Sequence, residues 1–209
     1  MILTAQEVLK RMKDPFPRKL VITPLLHLDQ IHKITGSVDI RLGQEFIIAH
    51  QAALGALNPV QDPDDLSGQI TDYLRRIHIP IGQFFVLHPR QFALGTTLEY
   101  FSLPGDIAAY VVGRSRWARI GLVIAMATFA HPGYSGCLTL ELQNLGDVPI
   151  KLYPSLSVGQ VIFHKTEGNP EIPYPRPSSQ FRCATGPEFP LPLISEKDRK
   201  IIEFFKPTD

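Results

Sequence analysis

Proline interrupts this sequence too often for long helices. The 209 residues include 19 prolines, and each proline lacks a backbone N–H and clashes with the preceding turn of a helix. Short apolar segments lie between the prolines, and several alternate apolar and polar residues. A period of two residues is typical of a strand with one buried face. The sequence therefore predicts a mainly β fold of short strands joined by turns, of the barrel or sandwich kind.

Residues 37–43, S-V-D-I-R-L-G, show this alternation most clearly, because Val38, Ile40 and Leu42 share one face. Gly43 begins a turn, and a returning strand is predicted at 45–49. The other strand predictions cover residues 83–87, 92–96, 97–101, 149–153 and 160–165, together with two strands around a glycine-rich turn at 129–136.

Three segments depart from the strand pattern. Residues 4–13 predict a short helix, since Thr4 can cap it and Glu7 stands at the capping-box spacing. Residues 51–80 are interpreted as a helical insertion whose apolar stripe runs from Leu66 to Ile77. Residues 167–209 are predicted to form an extended, proline-rich tail that ends in a short helix at 195–205, which Ser195 can cap. We expect a single domain over residues 1–209.

Charge balance and cysteine usage argue against several classes of protein. With 21 basic and 20 acidic residues the net charge is +1, which disfavours nucleic-acid binding through a basic surface. No apolar run approaches the roughly 20 residues that span a bilayer, and no secretory signal is evident. Cys137 and Cys183 make no metal-ligand pattern, so a zinc mechanism is poorly supported. We expect a cytoplasmic protein with free thiols.

The segment 113–144 concentrates the candidate chemistry. It begins with a cluster of three arginines and a serine: Arg114, Ser115, Arg116 and Arg119. A helical turn would place Ser115 and Arg119 on one face. A hydroxyl beside guanidinium groups can hold a phosphate through charge-assisted hydrogen bonds. By pattern alone, a solvated basic turn is the commoner occurrence.

Glu141 stands in the strand C-L-T-L-E-L, where it shares one face with Thr139 while Leu140 and Leu142 share the other. A glutamate shielded from water has a raised pKa, which suits a general base near neutral pH. An exposed strand glutamate is the commoner case. The preceding turn, F-A-H-P-G-Y-S-G at 129–136, favours a site because its glycines let a backbone approach a ligand. Within this turn, His131 is either a polar contact or simply a turn residue.

The tail carries one aromatic and several polar groups, including Tyr174, Arg176 and Arg182. Such a tail could close over a bound nucleotide. It could equally wrap a neighbouring subunit or serve as a linker.

Five stretches follow one another along the chain: S-V-D-I-R-L-G at 37–43, F-V-L-H-P-R-Q-F-A-L-G-T-T-L-E at 85–99, L-P-G-D-I-A-A-Y-V-V-G-R-S-R-W-A-R-I-G-L at 103–122, H-P-G-Y-S-G-C-L-T-L-E-L-Q-N at 131–144 and V-G-Q-V-I-F at 158–163. Together they resemble dCTP deaminase of the trimeric dUTPase superfamily. The resemblance implies a distorted β-barrel, assembled as a homotrimer with active sites between subunits. It also implies hydrolysis of the 4-amino group of dCTP to give dUTP and ammonia, without zinc and with magnesium carried on the triphosphate.

The resemblance assigns roles to individual residues. Glu141 matches the catalytic glutamate, which deprotonates the attacking water and passes protons to N3 and the leaving amine. Ser115 and Arg119 match the serine and arginine that hold phosphate and position the water and the base. Further substrate contacts match Arg114, the Ala127 backbone near the water, the Thr139 and Leu140 backbone at the pyrimidine edge, and Tyr174 at the phosphates. Arg116, His131 and Gln180 are also predicted to bind the substrate.

The sequence departs from the family pattern in three places. The family turn I-D-P-G reads A-H-P-G here, so His131 replaces an aspartate that contacts the sugar 3′-hydroxyl and that activates water in dUTPases. A combined deaminase and dUTPase is therefore less expected. In the tail, Gln180 replaces a phosphate-binding lysine and Ala184 replaces a glutamine, and Arg176 or Arg182 could compensate. The insertion at 51–80 is also longer than the family pattern has.

Three alternatives to dCTP deamination follow from these departures. One is a dUTPase-like pyrophosphatase, which the His131 substitution disfavours. Another is a nucleotide-binding trimer that has lost catalysis and acts as a sensor or regulator. The third is a deaminase that has shifted to another cytosine nucleotide. In each case the partner is a small-molecule nucleotide, and no nucleic acid or membrane partner is expected.

Overall fold

The computed structural model describes residues 1–49, 56–61, 63–125, 129–168, 183–188 and 193–205, without the side chains of residues 63, 64, 71 and 72. Within this part of the chain the helices are α1 (Ala5–Lys13), α2 (Pro63–Tyr73), α3 (Ser115–Ala118) and α4 (Glu196–Phe204). The strands are β1 (Val21–Thr23), β2 (Val38–Arg41), β3 (Glu45–Ala49), β4 (Leu74–His78), β5 (Phe85–Leu87), β6 (Phe92–Ser102), β7 (Ile107–Gly113), β8 (Leu122–Ile124), β9 (Phe129–Ala130), β10 (Ser135–Asn144), β11 (Ile150–Leu152) and β12 (Ser157–Lys165).

The two predicted terminal helices are confirmed together with their caps. The hydroxyl of Thr4 accepts a hydrogen bond from the backbone N–H of Glu7 at the start of α1. The hydroxyl of Ser195 does the same for the N–H of Asp198 at the start of α4. A capping hydroxyl satisfies one of the N–H groups that the first helical turn leaves unpaired.

The strands form three sheets in the described part of the chain. The largest has the order β4-β3-β6-β10-β8, with β1 also paired to β6. The second has the order β2-β12-β7-β9, and β11 pairs with β5 in a small third sheet. The expected mainly β class is confirmed, although these sheets are not joined into one closed barrel.

The main core lies between the two larger sheets. It combines inward residues from both, for example Ala93 and Leu142 from the first and Val161 from the second. Phe101 of β6 meets Phe163 of β12 with ring centroids 6.4 Å apart. The alternation predicted for 139–142 is confirmed, because Leu140 and Leu142 are fully buried while Thr139 and Glu141 are only partly covered. Burial of such side chains supplies the main stabilising term of the fold.

A buried carboxylate connects the two larger sheets. Glu99 of β6 is fully buried and accepts hydrogen bonds from the backbone N–H of Arg41 at 2.9 Å and from Gln30 Nε2 at 2.8 Å. The Arg41 guanidinium lies 3.4 Å from the same carboxylate. Burial raises the pKa of Glu99, and the bonds from Arg41 oppose that rise.

Two sequence predictions about secondary structure are wrong in detail. The predicted strands at 92–96 and 97–101 are one strand, β6, because β10 pairs with it along nearly its whole length. The helix predicted to run to Ile77 ends at Tyr73, and Leu74–His78 forms β4 instead. Five residues of β4 pair with β3, so hydrogen bonding to an available sheet edge outweighs the helical periodicity. The description of 51–80 as helical therefore holds only for α2.

Candidate active site

The arginine-rich segment forms a single helical turn at the end of β7. The backbone N–H of Arg119 donates to the carbonyl of Ser115 at 3.1 Å, which places these two residues on one side of α3. Ser115, Arg116 and Arg119 are all exposed. Ser115 and Arg119 therefore share one exposed side of the turn, and Arg116 is exposed in the same turn, an arrangement that suits a phosphate group.

Arg114 is held by its own chain. Its Nη1 donates to Asp39 Oδ2 at 2.8 Å and to the hydroxyl of Ser157 at 3.0 Å. The other carboxylate oxygen of Asp39 lies 2.8 Å from His32 Nε2. The guanidinium is thus fixed between β2 and β12, with its side chain 19% exposed. This pair orients the arginine and partly neutralises it, so Arg114 presents less free positive charge than its two neighbours.

Glu141 is the acid that the strand β10 presents on its outer face. It is partly buried, and desolvation raises the pKa of its carboxyl group. Within the described residues it forms no ion pair or side-chain hydrogen bond. A carboxylate that is shielded from water and has no fixed partner is available to accept a proton.

The backbone around Glu141 lies at a break in the edge of the sheet. The Glu141 carbonyl accepts from the N–H of Ala125, which follows β8. Farther along the same edge, Cys137 N–H donates to the carbonyl of Ala184 at 2.7 Å. Because backbone groups alternate along a strand, Thr139 also faces this edge. Thr139 and Glu141 therefore lie between the end of β8 and a returning segment of the tail.

That returning segment, residues 183–188, closes one side of the break. The N–H of Cys183 donates to Ser135, and the N–H of Glu188 donates to Thr139 Oγ1 at 3.3 Å. Gly136 makes the close approach possible, since a Cβ placed on it would lie 3.1 Å from the Ala184 nitrogen. Leu140 differs from Thr139, because its side chain is in the core and it pairs with Gly95 of β6.

His131 lies in the turn between β9 and β10 and is exposed. Its ring makes an edge-to-face contact with Phe129, with centroids 4.7 Å apart. Gly133 in the same turn has a φ of 84°, a value that glycine adopts without strain. Of the other site predictions, Ala127, Tyr174 and Gln180 lie outside the described residues, as do Arg176 and Arg182.

The two halves of the predicted site are separated within one chain. Leu122, at the start of β8, pairs with Asn144, and the helical turn of Ser115 and Arg119 immediately precedes it. Glu141 bonds to Ala125 at the opposite end of β8. Three residues of strand lie between these ends, a distance of about 10 Å. Arg114, Ser115 and Arg119 therefore form one group, and Thr139, Glu141 and the tail segment form another.

The described residues contain no cluster of three or more His, Cys, Asp or Glu side chains that could bind a metal ion. Both cysteines are free thiols. In the same part of the chain, no helix has the length and apolar character needed to cross a membrane.

Asp39 is a site residue that the sequence pattern does not single out. The alternation in S-V-D-I-R-L-G predicts a strand, and Asp39 is one of the polar residues of that strand. Its partner Arg114 is 75 positions away in sequence, so no local pattern could reveal the pair.

Comparison with known proteins places the chain in a family. Residues 2–166 match the family described as dCTP deaminase-like. A dCTP deaminase from Halorubrum lacusprofundi is 36% identical over 190 residues, covering 90% of this chain and 89% of that protein. A dUMP-forming dCTP deaminase from Methanobrevibacter smithii is 36% identical over 173 residues, covering 81% and 86% of the two chains. The chain therefore belongs to the dCTP deaminase-like family.

A solved structure confirms the fold expected from the resemblance. The crystal structure of 2′-deoxycytidine 5′-triphosphate deaminase from Agrobacterium tumefaciens superposes with a TM-score of 0.56 at 22% identity. The match covers 78% of this chain and 48% of that one, so this chain spans about half of that protein's length.

Proposed function

We propose that this protein deaminates dCTP by hydrolysis, giving dUTP and ammonia. The observation that carries the proposal is Glu141, a partly buried carboxyl group without an ion pair among the described residues, whose pKa burial raises. Family membership and relatives named dCTP deaminase support the same substrate. The runner-up, a nucleotide-binding regulator without catalysis, rests on the departures from the family pattern at Gln180 and Ala184, and it predicts nucleotide binding without turnover.

Glu141 moves the protons in this proposal. Its carboxylate takes a proton from water as the oxygen attacks C4 of cytosine, and the proton passes to N3. A second proton, from the added hydroxyl, reaches the amine as the C4–N bond breaks. The balance is dCTP plus water to dUTP plus ammonia. No metal is required for these steps, and magnesium enters only as part of the nucleotide substrate.

The exposed turn of α3 would hold the phosphates. Ser115, Arg116 and Arg119 supply a hydroxyl and two solvent-facing guanidinium groups, while Arg114 is oriented by Asp39. Because this turn and Glu141 lie at opposite ends of β8, we propose that the complete site forms between two copies in a homotrimer.

The mass in solution should then be three times 23.4 kDa, and light scattering after gel filtration measures it. A monomer that turns over dCTP would contradict the shared site.

The product needs a direct test, because some relatives are named dUMP-forming. We expect dUTP, since His131 stands where the aspartate of the dUTPase reaction is expected. Purified protein should be incubated with dCTP and magnesium, and dUTP, dUMP, ammonia and pyrophosphate should be quantified. Equal amounts of dUTP and ammonia without pyrophosphate would support the proposal. Pyrophosphate released in step with ammonia would replace it with a dUMP-forming reaction, and no reaction of dCTP would reject deamination.

The pH profile should report the environment of Glu141. A general base works only when it is ionised, so kcat/KM should rise with pH through the pKa of Glu141. Because burial raises that pKa, the acidic limb should lie at higher pH than for a solvent-exposed glutamate. Initial rates with subsaturating dCTP across the acidic range measure it. An acidic limb at or below the ordinary glutamate range would contradict the role of a shielded base.

A further inference from the structure

A single row of residues crosses the large sheet from Glu141 to the edge strand β4. Glu141 pairs with Leu94 of β6, and Leu94 pairs with Ile47 of β3. Ile47 in turn pairs with Arg76 of β4. Residues directly opposite one another in a sheet point to the same face. Glu141 and Arg76 are therefore on one face, three strand spacings or about 14 Å apart between their Cα atoms.

This face is the one turned away from the main core. Leu94 and Ile47 are buried but do not belong to the main core cluster, which instead contains their strand neighbours Ala93 and Phe46. The preceding residue of β4, Arg75, pairs with Ile48. Since alternate residues of a strand face opposite ways, Arg75 is on the core side of the edge and Arg76 is on the side of Glu141.

Arg76 is available to a ligand. It is exposed, and within the described residues its guanidinium forms no ion pair or hydrogen bond. The other titratable group on the same side of β4 is already engaged, because His78 Nδ1 contacts the carboxylate of Glu45 at 2.5 Å. A charged residue on an edge strand can simply prevent association of sheet edges. The position of Arg76 beside the tail segment 183–188 favours a more specific role in ligand binding.

The segment 183–188 spans the space between the two ends of the row. A Cβ placed on Gly186 would lie 3.5 Å from Arg76 Nη1, so the guanidinium reaches the tail backbone. Two residues on, the N–H of Glu188 donates to Thr139 Oγ1. Thr139 is on the same face of β10 as Glu141. Arg76 and Thr139, which is two residues from Glu141, thus border the same short piece of tail.

We propose that Arg76 is a further substrate-binding residue, which binds a phosphate oxygen of the nucleotide whose base lies at Glu141. The inference rests on the proposed function only for the position of the base. A guanidinium matches phosphate oxygens in charge and geometry. The two ends of the row are separated by a distance comparable to an extended nucleotide. The insertion at 51–80 then contributes directly to the site through β4.

Binding measurements with matched ligands test this role. Calorimetric titration of the full chain with dCTP and magnesium, dCMP, and deoxycytidine should be compared for wild type, Arg76→Gln and Arg76→Lys. Loss of one charge-assisted contact should weaken dCTP binding in Arg76→Gln by about tenfold or more. Deoxycytidine binding should be unchanged because it has no phosphate. Arg76→Lys should recover part of the affinity for dCTP. Arg75→Ala, on the same strand but the other face, is the matched control and should bind dCTP as wild type does.

The outcomes separate this inference from the proposed function. If Arg76→Gln binds dCTP as tightly as wild type, the inference is wrong whether or not dCTP is deaminated. If Arg76→Gln weakens deoxycytidine and dCTP equally, Arg76 supports the tail and the inference is also wrong. If wild type binds dCTP in an Arg76-dependent way without turnover, deamination fails and the inference stands. Wild type that binds no dCTP would overturn both.

Discussion

Glu141→Gln should lower kcat for dCTP deamination by about 10²–10⁴-fold, which is the usual contribution of a general base. Glutamine has nearly the same shape but cannot take a proton from water. Burial raises the pKa of Glu141, so its ionised form is disfavoured in the folded protein. This penalty is absent when pH is low enough to protonate the residue, and it appears as pH rises through its folded pKa. The neutral variant should therefore fold at least as stably as wild type near neutral pH.

Steady-state production of ammonia and the thermal midpoint of unfolding measure these two effects. Gln143→Ala is the matched control, because Gln143 is exposed on the same face of β10 two residues farther on. Its kcat should be close to that of wild type. Undiminished turnover by Glu141→Gln would remove Glu141 from the mechanism. A large loss of stability in the same variant would mean that lost activity reports unfolding rather than proton transfer.

Glu99→Ala should cost about 3–5 kcal/mol of folding free energy, the usual penalty for removing one partner of a buried ionic pair. The carboxylate is fully buried and accepts bonds from the Arg41 N–H and from Gln30 Nε2. The substitution leaves that N–H without its acceptor and removes the partner of the Arg41 guanidinium. It also removes a connection between the two larger sheets, since Arg41 is in β2 and Glu99 is in β6.

Chemical denaturation monitored by circular dichroism measures this loss. Glu7→Ala serves as the control, because Glu7 is partly exposed and, among the described residues, its carboxylate pairs only with the exposed Lys10 at 3.5 Å. Its effect should stay within about 1 kcal/mol. A Glu99→Ala variant as stable as the control would show that the desolvation cost of Glu99 cancels the bonds it accepts.

Local features were predictable where neighbouring residues determine them. The caps of α1 and α4 depend on residues three positions apart, and both occur as expected. The orientation of Glu141 followed from the alternation of a single strand. The helical turn joining Ser115 to Arg119 likewise needs only local hydrogen bonding. In each case the residues concerned lie within one helical turn or one strand.

The features that local patterns missed depend on partners distant in sequence. Residues after Tyr73 have helical periodicity, yet Leu74–His78 form a strand because they pair with the edge of β3. The substrate contact of Arg114 stays a prediction, and the hydrogen bond from Arg114 to Asp39 joins residues 75 positions apart. These outcomes depend on which segments become neighbours in the folded chain, and a local sequence pattern does not predict such pairings.

The sequence by itself thus determined the mainly β class, the family resemblance, the terminal helices and the candidate base Glu141. Periodicity, capping and motif residues are local properties, because each depends on a few adjacent positions in the sequence. Only the tertiary structure decided the strand order β4-β3-β6-β10, which places Arg76 and Glu141 in one row. It also decided that the tail returns beside Thr139 and that Asp39 holds Arg114. The physical reason is that strand pairing and ion pairing act through space, between residues whose separation along the chain does not reveal their contact.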